Sequence, residues 1–392
     1  MPPLRSSRRR NRCLALAAVG SLLAAACPLS AVARPVASSA RASSAPRATA
    51  PIPVTRQPLS FSADRDSLST TDRLSIDMAQ SYDIVPPADG NRGVKGPIPG
   101  YQIVGLGRGR NNRLCFAATV NGVKGLMMVD TGAQATVLNA TTYRPLLSEA
   151  ARALPAGLPR AVTLNGTRLP LAEAPDFHVG PANLGAVPVC MVPDRYLTDA
   201  GRGGEQGRVY DGLVGENVLR HYNAVIDCAR LGLYLNLDPA RKLAMAASFE
   251  RAGWTRVPMT DTGHHFLVPC VVNGRRFRLV VDTGAPFTNL DLDLLKAAQV
   301  GSRTLGVRGG LLASSTEEVS LVDLDRLQIG GYTATGVHMT ATARSLQAFG
   351  GAHDNAPDQP ILGLLGGDIL ASNRAVVDLG GRMLYLKHPD TR

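Results

Sequence analysis

Two stretches decide how this chain is read: Leu126-Met127-Met128-Val129-Asp130-Thr131-Gly132-Ala133 and Leu279-Val280-Val281-Asp282-Thr283-Gly284-Ala285. In each, an apolar run ends on an acid, a hydroxyl and a glycine. The likeness extends outward from them. Val120-Asn121-Gly122 ends eight residues before Asp130, and Val272-Asn273-Gly274 ends eight before Asp282, a constant offset of 152. Downstream, Gly212-Leu213-Val214-Gly215-Glu216-Asn217-Val218-Leu219 aligns with Gly363-Leu364-Leu365-Gly366-Gly367-Asp368-Ile369-Leu370 at an offset of 151. Ala224-Val225-Ile226-Asp227 aligns with Ala375-Val376-Val377-Asp378 at that same offset. Register kept over so long a stretch marks a duplicated domain.

From Gly100 onward, short apolar runs alternate with Gly, Pro and Asn, the pattern of an all-β chain. Asn121-Gly122 and Asn273-Gly274 supply the positive φ of a type I′ turn, so each predicts a hairpin whose second strand ends at its Asp. Short helices are expected over residues 141–154 and 291–299, and again just after Gly215 and Gly366. Turn-rich tips at Asn165-Gly166 and Gly309-Gly310 are candidates for mobile flaps. The expected organisation is a first lobe over 99–238, a connection over 239–253 and a second lobe over 254–392.

Asp-Thr-Gly at a strand end has a physical logic. The strand fixes the carboxylate, the threonine offers a hydroxyl across a symmetry axis, and the glycine allows close backbone approach. Two such carboxylates at an interface of similar lobes cannot both ionise cheaply, and they hold one proton between them. This pairing is the standard illustration of carboxylates whose proton affinities are pushed apart by proximity.

At these residues the chain resembles the pepsin-like and retropepsin-like aspartic peptidases. Their motif is apolar-apolar-Asp-Thr-Gly-Ser/Ala, followed later in the lobe by two hydrophobic residues and a glycine. Here the second elements are Leu213-Val214-Gly215 and Leu364-Leu365-Gly366, 85 residues after Asp130 and 84 after Asp282. The resemblance implies an all-β, bilobal acid-protease fold of two duplicated, barrel-like lobes with a cleft between them. It further implies that Asp130 and Asp282 are the catalytic pair, that Thr131 and Thr283 interlock, that Gly132 and Gly284 are the close-approach positions, and that Gly215 and Gly366 of the second elements support the site. Ala133 and Ala285 follow the retroviral form of the motif, where pepsins more often carry Ser. Without that hydroxyl the ionised dyad is stabilised less, which predicts action at a milder pH than a gastric enzyme. Each half is shorter than a pepsin lobe, closer to a tandem fusion of two retropepsin-like subunits, and the flap tyrosine of pepsins has no evident counterpart. The implied activity is endopeptidase cleavage of an extended peptide or protein substrate, without metal or cofactor, by a monomer. The alternative is a silent module on the same fold that grips peptides or cell-wall material. A glycosidase reading of the two acids finds no support in the flanking residues.

A third Asp-Thr-Gly, Asp261-Thr262-Gly263, has no apolar strand leading into it, and its counterpart position is Gly109, so it is assigned to a hairpin turn. Asp227 and Asp378 are assigned to turns or caps, and His264-His265 to the surface.

The N-terminus carries a basic run through Arg12, an apolar run over residues 14–26 and Ala31-Val32-Ala33 as a cleavage site, which reads as a secretory signal peptide over 1–33. An exported, periplasmic or secreted protein is expected, with lipid anchoring through Cys27 ranked below simple cleavage. Residues 34–98 read as a linker or prosegment rich in Ala, Ser, Pro and Arg. The formal charge of +11 invites a nucleic-acid partner, but nine of the 42 basic residues precede the first acidic one, Asp64. Thirty-three basic residues then face 31 acidic ones, so no nucleic-acid partner is expected. Cys115, Cys190, Cys228 and Cys270 remain after the signal; an exported chain permits disulfides among them in three connectivities, and their spacing does not suggest a metal site.

Overall fold

A computed structural model describes residues 101–108, 112–146, 161–164, 167–197, 210–238, 253–309, 317–343 and 358–388. The expected signal peptide, the 34–98 segment, nearly all of the 239–253 connection and the flap tips at Asn165-Gly166 and Gly310 lie outside the described residues.

Each half grows from one hairpin. Strand Leu114–Val120 pairs antiparallel with Val123–Val129, and Val120 opposite Val123 leaves Asn121 and Gly122 as a two-residue loop. Their φ angles of 48° and 77° recur as 47° and 77° at Asn273 and Gly274, between strands Phe266–Val272 and Arg275–Val281. Positive φ at both positions is the type I′ turn expected of Asn-Gly, whose twist matches that of the flanking strands. The first strands of the two hairpins share the same burial pattern, with Ala117 and Pro269 as the single exposed positions.

A later strand then runs parallel to the end of each hairpin. Gly212–Val214 lies beside Met127–Val129 and antiparallel to Val137–Asn139. Ile361–Leu365 lies beside Arg275–Val281 and antiparallel to Asn289–Asp291. Parallel neighbours need a long crossover, which the chain between each Asp and its second element provides. Leu213, Val214, Leu364 and Leu365 are fully buried in this arrangement. Short helices follow at Glu216–His221 and Gly367–Ser372, as expected. Leu292–Ala297 is helical behind Asp291, whose carboxylate caps the amides of Asp293 and Leu294.

The halves are joined by a six-stranded sheet to which each contributes three strands. At its centre Val225–Asp227 pairs with Val376–Asp378, placing Ile226 opposite Val377 in antiparallel register. Asp227 accepts from the amides of Ala229 and Arg230, and Asp378 from that of Gly381, so both serve as turn caps. The architecture is thus the all-β, bilobal aspartic protease fold that the resemblance implies.

The lobes differ where proline intervenes. In the second, the 13-residue strand Glu317–Ile329 runs unbroken and pairs Ile329 with Cys270 of the hairpin. In the first, Thr167–Ala174 and Phe177–Val179 cover the equivalent path, with Val179 opposite Ala118. Pro175 falls between them; lacking an N–H, it cannot continue the ladder.

The disulfides that an exported chain permits do not form: Cys115, Cys190, Cys228 and Cys270 are all free and buried in separate strands or turns. Burial pushes the Cys190 and Cys228 thiols up to about 12, so they behave as packing groups. Among the described residues no helix is long and apolar enough to cross a membrane, and no group of His, Cys, Asp or Glu is placed to hold a metal ion.

Candidate active site

The two Asp-Thr-Gly loops meet where the lobes touch, and their threonines interlock. Thr131 Oγ1 donates to the Val281 carbonyl at 2.7 Å and accepts from the Thr283 amide at 3.0 Å. Thr283 Oγ1 donates to the Val129 carbonyl at 2.9 Å and accepts from the Thr131 amide at 3.1 Å. Each hydroxyl is therefore used as donor and acceptor against the opposite strand end. Both threonines are buried, so none of these bonds competes with water.

The same crossing places the carboxylates. A Cβ at Gly132 would overlap the carboxylate of Asp282, and one at Gly284 would overlap that of Asp130. Any side chain at either glycine is excluded, because each acid lies against the other lobe's loop. Asp130 Oδ1 accepts from the amides of Gly132 at 2.9 Å and Ala133 at 3.0 Å. Asp282 Oδ1 accepts from those of Gly284 and Ala285, both at 2.9 Å. One oxygen of each acid is thus held by its own loop, which fixes the direction of the other. Asp130 Oδ2 is buried and has no hydrogen-bond partner among the described residues. Burial first, and the charge of Asp282 second, push the Asp130 carboxyl well above the ordinary carboxylate range, while the Gly132 and Ala133 amides and Arg113 pull it down.

The second elements support the loops from behind. A Cβ at Gly215 would strike the carbonyls of Ala133 and Ala135, and one at Gly366 the backbone of Phe287 and Thr288. The helices that follow donate their first amides back to the loops, Glu216 to the Ala133 carbonyl at 2.7 Å and Gly367 to that of Ala285 at 2.8 Å. Thr136 donates its amide and hydroxyl to Asn217 Oδ1, and Thr288 does the same to Asp368 Oδ1. The structure therefore brings all ten expected site residues, Asp130 to Ala133, Asp282 to Ala285, Gly215 and Gly366, into one constellation.

Charged groups around it were not singled out from sequence. Arg113, fully buried, directs Nε to the Gly284 carbonyl at 3.3 Å and lies 5.9 Å from the centre of the Tyr210 ring. On the other side, Arg220 pairs with Glu216 at 2.8 Å and crosses to Asp261 of the second lobe at 2.5 Å, its guanidinium 3.9 Å above the Phe266 ring. Burial outweighs Arg220 and pushes the Glu216 carboxyl up to about 8. The repeat holds no signal for Arg113, since its equivalent at the offset of 152 is His265, a residue of different chemistry. Each stands immediately before the first hairpin strand.

His265 corrects an expectation. It is buried rather than on the surface, and burial lowers it to about 3, so it is neutral. Its place at the lobe interface, equivalent to that of Arg113, accounts for this. Asp261-Thr262-Gly263 is a hairpin turn as expected, with Gly263 at φ +82° and its amide on Asp261 Oδ1, and it lends its acid to the ion pair between lobes.

Two directed carboxyl oxygens at a desolvated lobe junction can share a proton and act on a water as base and acid together. No curated protein matches the chain. A family model described as aspartyl protease matches residues 268–369, from the first hairpin strand of the second lobe through Asp282 and Gly366 to the closing helix, and this supports a proteolytic function.

Proposed function

We propose that the protein is an exported aspartic endopeptidase with one active site formed by Asp130 and Asp282. One carboxylate draws a proton from a water that attacks the amide carbonyl, and the other carboxyl donates to the developing oxyanion. The proton shared between the acids lets both roles coexist: as the tetrahedral intermediate collapses, the acid that took the water's proton gives it to the leaving amine while the C–N bond breaks, and the other recovers its proton from the diol hydroxyl, so the pair again holds one proton. No covalent intermediate is required. The observation that carries this reading is the reciprocal approach of each acid to the other lobe's Asp-Thr-Gly glycine. The cleft between lobes holds the substrate as an extended strand, through backbone hydrogen bonds, with apolar pockets setting preference. Because both halves lie in one chain, a monomer suffices.

The test is incubation with a mixed peptide library, comparing the wild-type protein with Asp130→Asn and Asp282→Asn, with and without pepstatin as a transition-state analogue. Cleavage by the wild type that either substitution or the inhibitor abolishes is the expected result. Cleavage that survives either substitution rejects the dyad, and no cleavage by the wild type favours a silent binding module. With Ala133 and Ala285 in place of serines, the pH-rate profile is expected to lie at milder pH than that of a gastric enzyme. A profile confined to strongly acidic pH contradicts this.

A further inference from the structure

We propose that Arg113 is a positioning residue for the dyad, its buried guanidinium seated on the Gly284 peptide so that one of the two carboxylates stays ionised in a desolvated site. This rests on the peptidase reading above. The geometry is a short chain: Arg113 Nε donates to the carbonyl of Gly284, whose α-carbon lies against the Asp130 carboxylate. Arg113 thus acts on Asp130 from the opposite lobe's loop, though it belongs to Asp130's own lobe. A cation enclosed with a carboxylate at low dielectric favours the ionised form, and a guanidinium stays charged even when buried.

The surrounding groups do not duplicate this effect. Asp130 and Asp282, each lying against the other lobe's glycine, are electrostatically coupled, and Arg113 acts on both. Tyr210 and Cys115 are the other titratable neighbours of Arg113. From the helix after Gly215, Glu216 couples to Asp282, but burial pushes its carboxyl up to about 8 despite Arg220, which Asp261 also holds, so it is protonated along the acid limb. At the position equivalent to Arg113 the second lobe has His265, neutral because buried, and opposite Glu216 it has Gly367. The cation is therefore supplied from one side of the pseudo-twofold axis.

The experiment measures kcat/KM against pH for the full-length chain and three variants. Arg113→Met removes the charge at similar volume, Arg113→Gln removes it while retaining an N–H for Gly284, and Arg113→Lys keeps it. Without the cation the carboxylate ionises less readily, so the acid limb moves upward by about one pH unit in the two neutral variants and stays near wild type in the lysine variant. A purely structural role lowers stability or activity without moving the limb. An acid limb unmoved in a folded neutral variant overturns the proposal, as does failure of both neutral variants to fold. Asp130→Asn, assayed alongside, separates the two readings: if it cleaves like wild type the dyad itself is wrong, whereas if it is inactive and the limb does not move only Arg113 is reassigned.

Discussion

The two lobes present the same catalytic loop and differ in what surrounds it. Asp130 and Asp282 each receive two amides at nearly equal distances, and the threonine interlock is symmetric within a few tenths of an ångström. Behind the loops the symmetry ends. Thr136 rests on Asn217, whose amide also reaches the Pro188 carbonyl, while Thr288 rests on Asp368, whose Oδ2 is buried without a partner among the described residues. The first lobe's helix carries Glu216 and Arg220 where the second has Gly367 and Ala371. Duplicated geometry is retained where two loops must fit each other; elsewhere each copy has only its own neighbours to satisfy.

The largest test of this contrast is catalytic. Asp130→Asn and Asp282→Asn are each expected to lower kcat/KM by on the order of 10³ or more, with no difference between lobes, because each acid is needed for a separate half of one proton exchange. Asp261→Asn, in the third Asp-Thr-Gly, keeps wild-type turnover in the same assay. Next come the hydroxyls. Thr131→Val and Thr283→Val each leave a buried amide and carbonyl unbonded, and urea unfolding should show losses of roughly 3 kcal/mol for either. The double variant should lose less than the sum, since both substitutions break one network; full additivity would mean that the hydroxyls act separately.

A smaller effect isolates the asymmetry. Burial pushes the Asp368 carboxyl up to about 6, from an ordinary 3.8. A folded-state value above the unfolded one means that its stabilisation is complete below about 3.8 and lost as pH rises through about 6. Asp368→Asn, which copies Asn217, should therefore raise stability at pH 7 by up to roughly 2 kcal/mol and change nothing at about pH 3. The reverse exchange, Asn217→Asp, should destabilise at pH 7. Equal midpoints for Asp368→Asn and wild type at pH 7 would falsify this account of the second lobe. The smallest change belongs to the partly exposed Arg220–Asp261 pair, where Asp261→Asn is expected to lower stability by less than about 1 kcal/mol, read as a shift in Tm.

Much of this was legible in the chain. Asn-Gly specifies its turn through backbone preference alone, and the apolar runs at 126–129 and 279–281 mark strands that end at an acid. The duplicated register shows that Gly215 and Gly366 correspond to each other, and the resemblance to aspartic peptidases implies that they belong with those loops. The charged surroundings were harder to read. Arg113 and His265 occupy equivalent positions but share no chemistry, so neither drew attention to the other, and the burial of His265 follows from an interface that no local pattern encodes. Free cysteines were likewise undecidable, since four thiols in an exported chain permit bridges until their separation in space is known.

By itself, the sequence determined the duplication, the hairpins and the identity of the paired acids, because turn geometry, strand period and repeat register are properties of neighbouring residues. Only the tertiary structure decided that Arg113 would be enclosed against Gly284, that Glu216 would be desolvated, and that Asp261 would bind Arg220 across the lobes. Those outcomes depend on which surfaces two lobes turn toward each other, and the cost of burying a charge is set by everything that surrounds it.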